Sequence, residues 1–154
     1  MNKKNKIKLS TAIREGAKIR KQGFTCLFSV PKGNYNSSVS SGNYLQFEDH
    51  QICSCALGAA IEFVAKGKSR LDMFENDVCF LDKHFKGIRE FKSKYDHSPI
   101  NKNKPYLTGS RNIYVEEIDN YIAFDTMYQF VFKLNDNYRL TREKIADILE
   151  RLGY

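Results

Sequence analysis

The run Ala56-Leu57-Gly58-Ala59-Ala60 constrains this chain more than any other stretch. Side chains this small leave room for another main chain to approach closely, so the run predicts a helix whose neighbour is backbone rather than bulky side chains. Leu57, Ile61 and Val64 recur at i, i+4 and i+7, which is the stripe of a buried helical face. Ser54 or the preceding Cys53 is expected to open this helix, and Lys66-Gly67 to close it. Its expected partner is Gly16-Ala17 on a first helix, capped by Ser10 or Thr11 and stopped at Gly23, with Ala12, Ile13 and Ala17 on one face.

The C-terminal 30 residues carry the clearest helical signal. Met127, Phe130, Val131 and Leu134 follow a cap at Asp125 or Thr126. After a turn at Asn135-Asp136-Asn137, Thr141 caps a last helix that buries Ile145, Ile148, Leu149 and Leu152 and ends at Gly153. Leu81, Phe85, Ile88 and Tyr95 mark a further amphipathic segment. Residues 31–43 lack any period and read as a long polar loop, 98–112 as a polar linker, and Ile113 to Val115 as one short strand. The expected fold is therefore mainly α: a small single-domain helical protein, residues 1–154, with a C-terminal helix-turn-helix hairpin and one short β element. Its core should run through Ile13, Leu57, Ile61, Ile145 and Leu149.

A chain of 154 residues with 42% apolar side chains can bury one such core without staples. Met1 to Lys8 is charged and lacks the apolar stretch of an export signal, and no run of about 18 apolar residues occurs, so a cytoplasmic protein without membrane contact is expected. Cys26, Cys53, Cys55 and Cys79 then read as free thiols. A zinc set of His50, Cys53, Cys55, Cys79 and His84 would need Cys-x-Cys in place of the usual Cys-x2-4-Cys hook, so no metal and no cofactor are expected.

The net charge of +7 is segregated. Residues 1 to 25 hold Lys3, Lys4, Lys6, Lys8, Arg14, Lys18, Arg20 and Lys21 against Glu15 alone, 8 − 1 = +7, so the remaining chain sums to zero. The first eight residues read as a basic flexible tail. A second basic block lies between positions 83 and 104, where Lys83, Lys86, Arg89 and Lys92 alternate with Phe85, Phe91 and Tyr95. Positive charge interleaved with aromatics suits an anionic partner: a nucleic acid, a nucleotide-type ligand or an acidic protein surface. The last helix is a poor DNA reader, because Arg142, Lys144 and Arg151 are balanced by Glu143, Asp147 and Glu150.

The alternative is a cysteine-dependent hydrolase or transferase. Cys55 falls in the first turn of the Ala-rich helix, where the helix dipole lowers a thiol pKa, and His50, His84 and His97 are the candidate bases. No Asp or Asn is assigned as the orienting third member. Gly-x4-Gly-Lys-Ser/Thr, Gly-x-Gly-x-x-Gly, His-Glu-x-x-His and Gly-x-Ser-x-Gly patterns are all missing, which leaves nonenzymatic binding as the leading expectation.

Three segments, Leu9-Ser10-x-Ala12-Ile13-Arg14-x-Gly16-Ala17, Cys55-Ala56-Leu57-Gly58-Ala59-Ala60 and Leu134-Asn135-Asp136 followed by Thr141-Arg142-Glu143-x-Ile145-Ala146-Asp147, resemble a family of small uncharacterised proteins of bacteria, phages and prophages. The order and spacing match over most of the chain. Many relatives in that family carry a Cys-x-x-Cys and two histidines around the C-terminal hairpin; here the histidine positions hold Lys133 and Tyr138, and the cysteines before Met127 are missing. The resemblance implies a phage- or bacteria-encoded protein with a host-interaction or anti-defence role and a zinc clasp replaced by packing of Tyr121, Phe124 and Tyr138. It brings no established activity to carry over.

Overall fold

The computed structural model describes residues 7–66, 73–74, 78–85, 88 and 111–154. Helix α1 (Leu9–Ala17) crosses α2 (Ala56–Val64) at very short range, as the small residues demand. A Cβ added at Gly16 would lie 1.8 Å from the Ala59 carbonyl oxygen, and one at Gly58 would lie 2.1 Å from that of Leu27. One side of α2 thus receives α1 and the other receives the chain entering the first sheet. Helix α5 (Arg142–Arg151) packs on the remaining side of α1. Ile13, Leu57, Ile61, Ile145 and Leu149 share one buried cluster with Phe124, Met127, Phe130 and Leu134.

The mainly α expectation is overturned: 49% of the described residues are helical and 19% lie in strands, and the strands form two antiparallel sheets. The first sheet has the order β2-β1-β3, from β1 (Phe28–Lys32), β2 (Tyr35–Ser38) and β3 (Cys53–Ser54). The stretch read as a loop over 31–43 is largely this hairpin. Gly33, at φ 58°, takes the first of two turn positions between the paired residues Lys32 and Tyr35, as a type II′ turn requires. Pro31 is tolerated because Lys32 and Tyr35 form the hydrogen-bonded pair. The next pair, Pro31 with Asn36, points its main-chain nitrogens away from β2, and β3 reaches only Phe28 and Ser29. Asn36, Ser37 and Ser38 are poor strand formers held in place by their partner strand.

The second sheet is a hairpin of β4 (Arg111–Val115) and β5 (Asn120–Phe124), so the expected short strand has a partner and the end of the expected linker belongs to it. Ile113 and Ile122 face each other inside, and Tyr114 and Tyr121 face each other outside with ring centroids 5.3 Å apart. Tyr121 is 61% and Tyr138 37% exposed, so of the three aromatics expected to replace a metal clasp only Phe124 is interior, against Phe130 at 4.8 Å.

Helix α3 (Val78–His84) is followed by Phe85 and Ile88, which are buried with Leu81; Tyr95 lies outside the described residues. Helix α4 (Met127–Phe132) is capped by the Thr126 hydroxyl, which accepts from Gln129 N at 3.2 Å. The expected turn at Asn135-Asp136-Asn137 is a π-helical continuation, Lys133–Asn137. Thr141 caps α5 through Lys144 N at 3.3 Å, and Gly153 leaves it at φ 92°. Three expected caps are corrected: Ser54 and Cys53, expected to open α2, lie in β3, and Cys55 takes that N-cap. Lys8, with no side-chain bond, occupies the α1 N-cap, and Ser10 is buried inside the helix with its hydroxyl unpartnered. Gly23 lies beyond the α1 end at Ala17; its bare Cα instead lets Ser29 and Cys53 pack against it. Among the described residues no helix is long and apolar enough to cross a membrane.

Candidate functional site

Lys3, Lys4, Lys6, Lys86, Arg89, Lys92 and His97 lie outside the described residues. Of the others, three basic residues of the first block are paired with carboxylates of this chain. Arg14 bonds three carboxylates of α5: Glu143 at 3.0 Å, Asp147 at 2.5 Å and Glu150 at 2.7 Å, which hold its guanidinium firmly protonated, Asp147 foremost. Lys18 pairs with Glu15 at 2.7 Å. Arg20 is buried, donating to Glu62 at 2.6 Å and to the Asp49 carboxylate and carbonyl at 3.0 and 2.9 Å. Lys8 and Lys21 are exposed and make no ion pair among the described residues. Lys83 is exposed in the last turn of α3.

Cys55 is the N-cap of α2 rather than a member of its first turn. Its sulfur accepts from Gly58 N at 3.3 Å, so it closes the helix end itself. Burial outweighs the main-chain hydrogen bonds from Gly58 and Leu57 and pushes the thiol up to about 12, and no histidine among the described residues bonds it. His50 is exposed in a 3-10 turn, and the exposed His84 ring sits 4.5 Å from Phe80. Cys26, Cys53 and Cys55 are free thiols. Among the described residues no group of three His, Cys, Asp or Glu side chains is placed to hold a metal. A cavity of about 10 Å³ beside Cys26, Cys55, Tyr128 and Asp136 is on the scale of one water.

The groups that organise this region were not among the expected ones. Asn135, 1% exposed, accepts from Ala56 N at 3.2 Å and Gln22 Nε2 at 3.1 Å and donates to the Gly23 carbonyl at 3.0 Å. It thereby ties the π turn to the α2 N-terminus and to the segment after α1. Arg142, counted above among the balanced charges of the last helix, is buried. It donates to the Ser54 hydroxyl at 2.8 Å, the Ser54 carbonyl at 3.3 Å, the Ala17 carbonyl at 3.2 Å and the Arg20 carbonyl. Its position directly after the Thr141 cap, where a cation faces the positive end of a helix, was the available signal.

These anchors lay residues 20–25 against residues 136–142. Gln22 Nε2 donates to the Leu140 carbonyl at 2.7 Å, the Arg139 guanidinium stands 4.0 Å from the Phe24 ring centroid, and Thr25 N donates to Asp136 at 2.9 Å. Both sides of the seam are strained, with Thr25 at φ 73° and Arg139 at φ 53°. A β-branched residue at positive φ is rare and persists only where its surroundings impose it. The seam joins exposed cationic, aromatic and strained groups, which makes it the best candidate for a working surface. No family model, no curated protein and no solved structure matches this chain.

Proposed function

We propose that this protein is a nonenzymatic binding protein for an anionic partner, with nucleic acid as the partner its chemistry fits best. One observation carries the reading. Arg14, Lys18 and Arg20 are paired with carboxylates of this chain, Lys8 and Lys21 are the described cations of the N-terminal block without an ion pair, and the sequence adds Lys3, Lys4 and Lys6 to make five. Four of these five precede α1, so polyanion affinity is assigned to that segment rather than to the helix. A host-interaction or anti-defence role in a bacterial cell fits this reading and rests on the family resemblance alone.

Salt dependence tests it. Replacing Lys3, Lys4, Lys6 and Lys8 by Ala should weaken binding to heparin and duplex DNA and flatten the log–log salt slope by about 0.9 for each DNA phosphate no longer neutralised. An unchanged slope overturns the assignment. Thiol alkylation tests the nonenzymatic half: a nucleophilic Cys55 would label quickly at neutral pH, whereas a thiol held near 12 should label only on unfolding.

A further inference from the structure

We propose that the seam of residues 21–25 and 136–139 docks single-stranded nucleic acid, the Arg139 guanidinium stacking a base and Lys21 meeting the phosphate backbone. The inference rests on the anionic-partner reading and adds to it a surface and a strand type.

Arg139 makes no ion pair among the described residues, and its guanidinium lies over Phe24 at 4.0 Å. The residue as a whole is exposed, so the planar cation with its N–H groups is accessible from solvent. A plane to stack on a base and a fork of donors for a phosphate is the combination that arginine offers and lysine does not. Phe24 itself is only half-buried, and Tyr138, on the same turn, is 37% exposed. Asp136, a carboxylate of the seam, is held by protein donors: one oxygen accepts from Thr25 N at 2.9 Å and the other from Asn135 Nδ2 at 2.6 Å. Its charge is thus partly met by protein donors. Lys21 is exposed one residue before Gln22, whose side chain is fixed to Leu140 O.

The left-handed backbone supports a functional origin for Arg139. At φ 53° glycine or asparagine is the unstrained choice, yet the position carries a long charged side chain. Bases in a duplex are stacked on one another and unavailable to a guanidinium plane, so this geometry selects single strands.

The experiment is a salt titration of the full chain binding a fluorescent pyrimidine single strand and, separately, a duplex of the same length. Arg139→Gly should keep the fold, because glycine relieves the positive φ, and should weaken single-strand binding roughly tenfold when extrapolated to high salt, the scale of one base stack removed. Arg139→Lys should keep the salt slope and still lose most of that affinity. Duplex binding should fall only as the removal of one charge dictates. Equal losses on both nucleic acids, or full retention by Arg139→Lys, would make Arg139 a simple charge contact and overturn the proposal. An unchanged affinity in Arg139→Gly would overturn it too, while a flattened slope in the N-terminal lysine variant would leave the broader reading standing. Failure of the unaltered protein to bind either nucleic acid overturns this proposal, and failure to bind heparin as well overturns the anionic-partner reading.

Discussion

Two arginines cross the same helix contact in opposite directions, and they differ in almost every physical respect. Arg14 leaves α1 to meet Glu143, Asp147 and Glu150 on α5, all half or more exposed. Arg142 leaves α5 to meet the carbonyls of Ala17, at the end of α1, and of Arg20 just beyond it, and both oxygens of Ser54, with no carboxylate in bonding range among the described residues. Burial lowers the Arg142 pKa, whereas hydrogen bonds raise that of Arg14. Formal charge pairing is richer at Arg14, yet the larger structural dependence belongs to Arg142. Water and salt stand in for exposed carboxylates, but nothing replaces a buried donor to three main-chain carbonyls.

Gly16→Ala should break both contacts at once and have the largest effect. The added Cβ meets main chain at 1.8 Å, so α1 must move away from α2 and carry Arg14 and the Ala17 carbonyl with it. A loss of about 3 kcal/mol or more in denaturant unfolding is expected, at the upper end of overpacking costs. Tolerance within about 0.5 kcal/mol would mean that α1 is free to slide.

Arg142→Ala comes next. Three carbonyls lose a charged donor inside the protein, and a cost of about 3 kcal/mol follows, little changed between low and high salt. Arg142→Lys should rescue little of it, because one ammonium cannot span acceptors on both Ser54 and the end of α1. Full rescue by lysine would show that charge, rather than the fork, is what the site uses.

The same contrast between local and distant causes explains what the sequence disclosed. Thr126, Thr141 and Gly153 act through groups within four residues of themselves, and each does what its position predicts. The small-residue pairing of Gly16 with the Ala59 region was also legible, since a glycine and alanines at helical spacing advertise a close approach. The first hairpin was not. Ser37 and Ser38 pair with Val30 and Ser29 because β1 is fixed by the core through Phe28 and Val30, and nothing in an Asn/Ser run announces that. Ile122 and Phe124 did carry a period of two, which gained meaning only once Ile113 supplied a partner. The pairing within the basic block was hidden for a related reason. Arg14 and Arg20 find carboxylates 129 and 42 residues away, so charge counted along the chain overstated what the surface offers.

Arg14→Ala should cost about 1 kcal/mol at low salt and less in roughly 0.5 M salt, since its three partners are at the surface. Circular dichroism melts at the two ionic strengths would measure it. A salt-independent loss matching that of Arg142→Ala would erase the distinction between the two contacts.

A third arginine lies between these extremes and gives the smallest, pH-dependent effect. Arg151, half exposed in the last turn of α5, donates to Glu117 Oε1 at 2.6 Å, while the Glu117 side chain is only 19% exposed. That hydrogen bond holds the Glu117 carboxyl below its ordinary value against the opposing pull of burial. A depressed folded pKa means that the unfolded chain takes up the proton first as pH falls. The stabilisation is therefore complete above the unfolded value near 4.5 and disappears as pH drops through the folded one. Because Arg151 is half in solvent and Glu117 Oε2 is buried without a partner, the contribution should be only a few tenths of a kcal/mol. Glu117→Gln should thus melt slightly below the unaltered protein at about pH 7, and the gap should close by about pH 3. A gap that stayed constant over that whole range would show that the amide merely packs less well than the carboxylate, and would place Glu117 with the buried, charge-insensitive contacts of Arg142 rather than the titratable ones of Arg14.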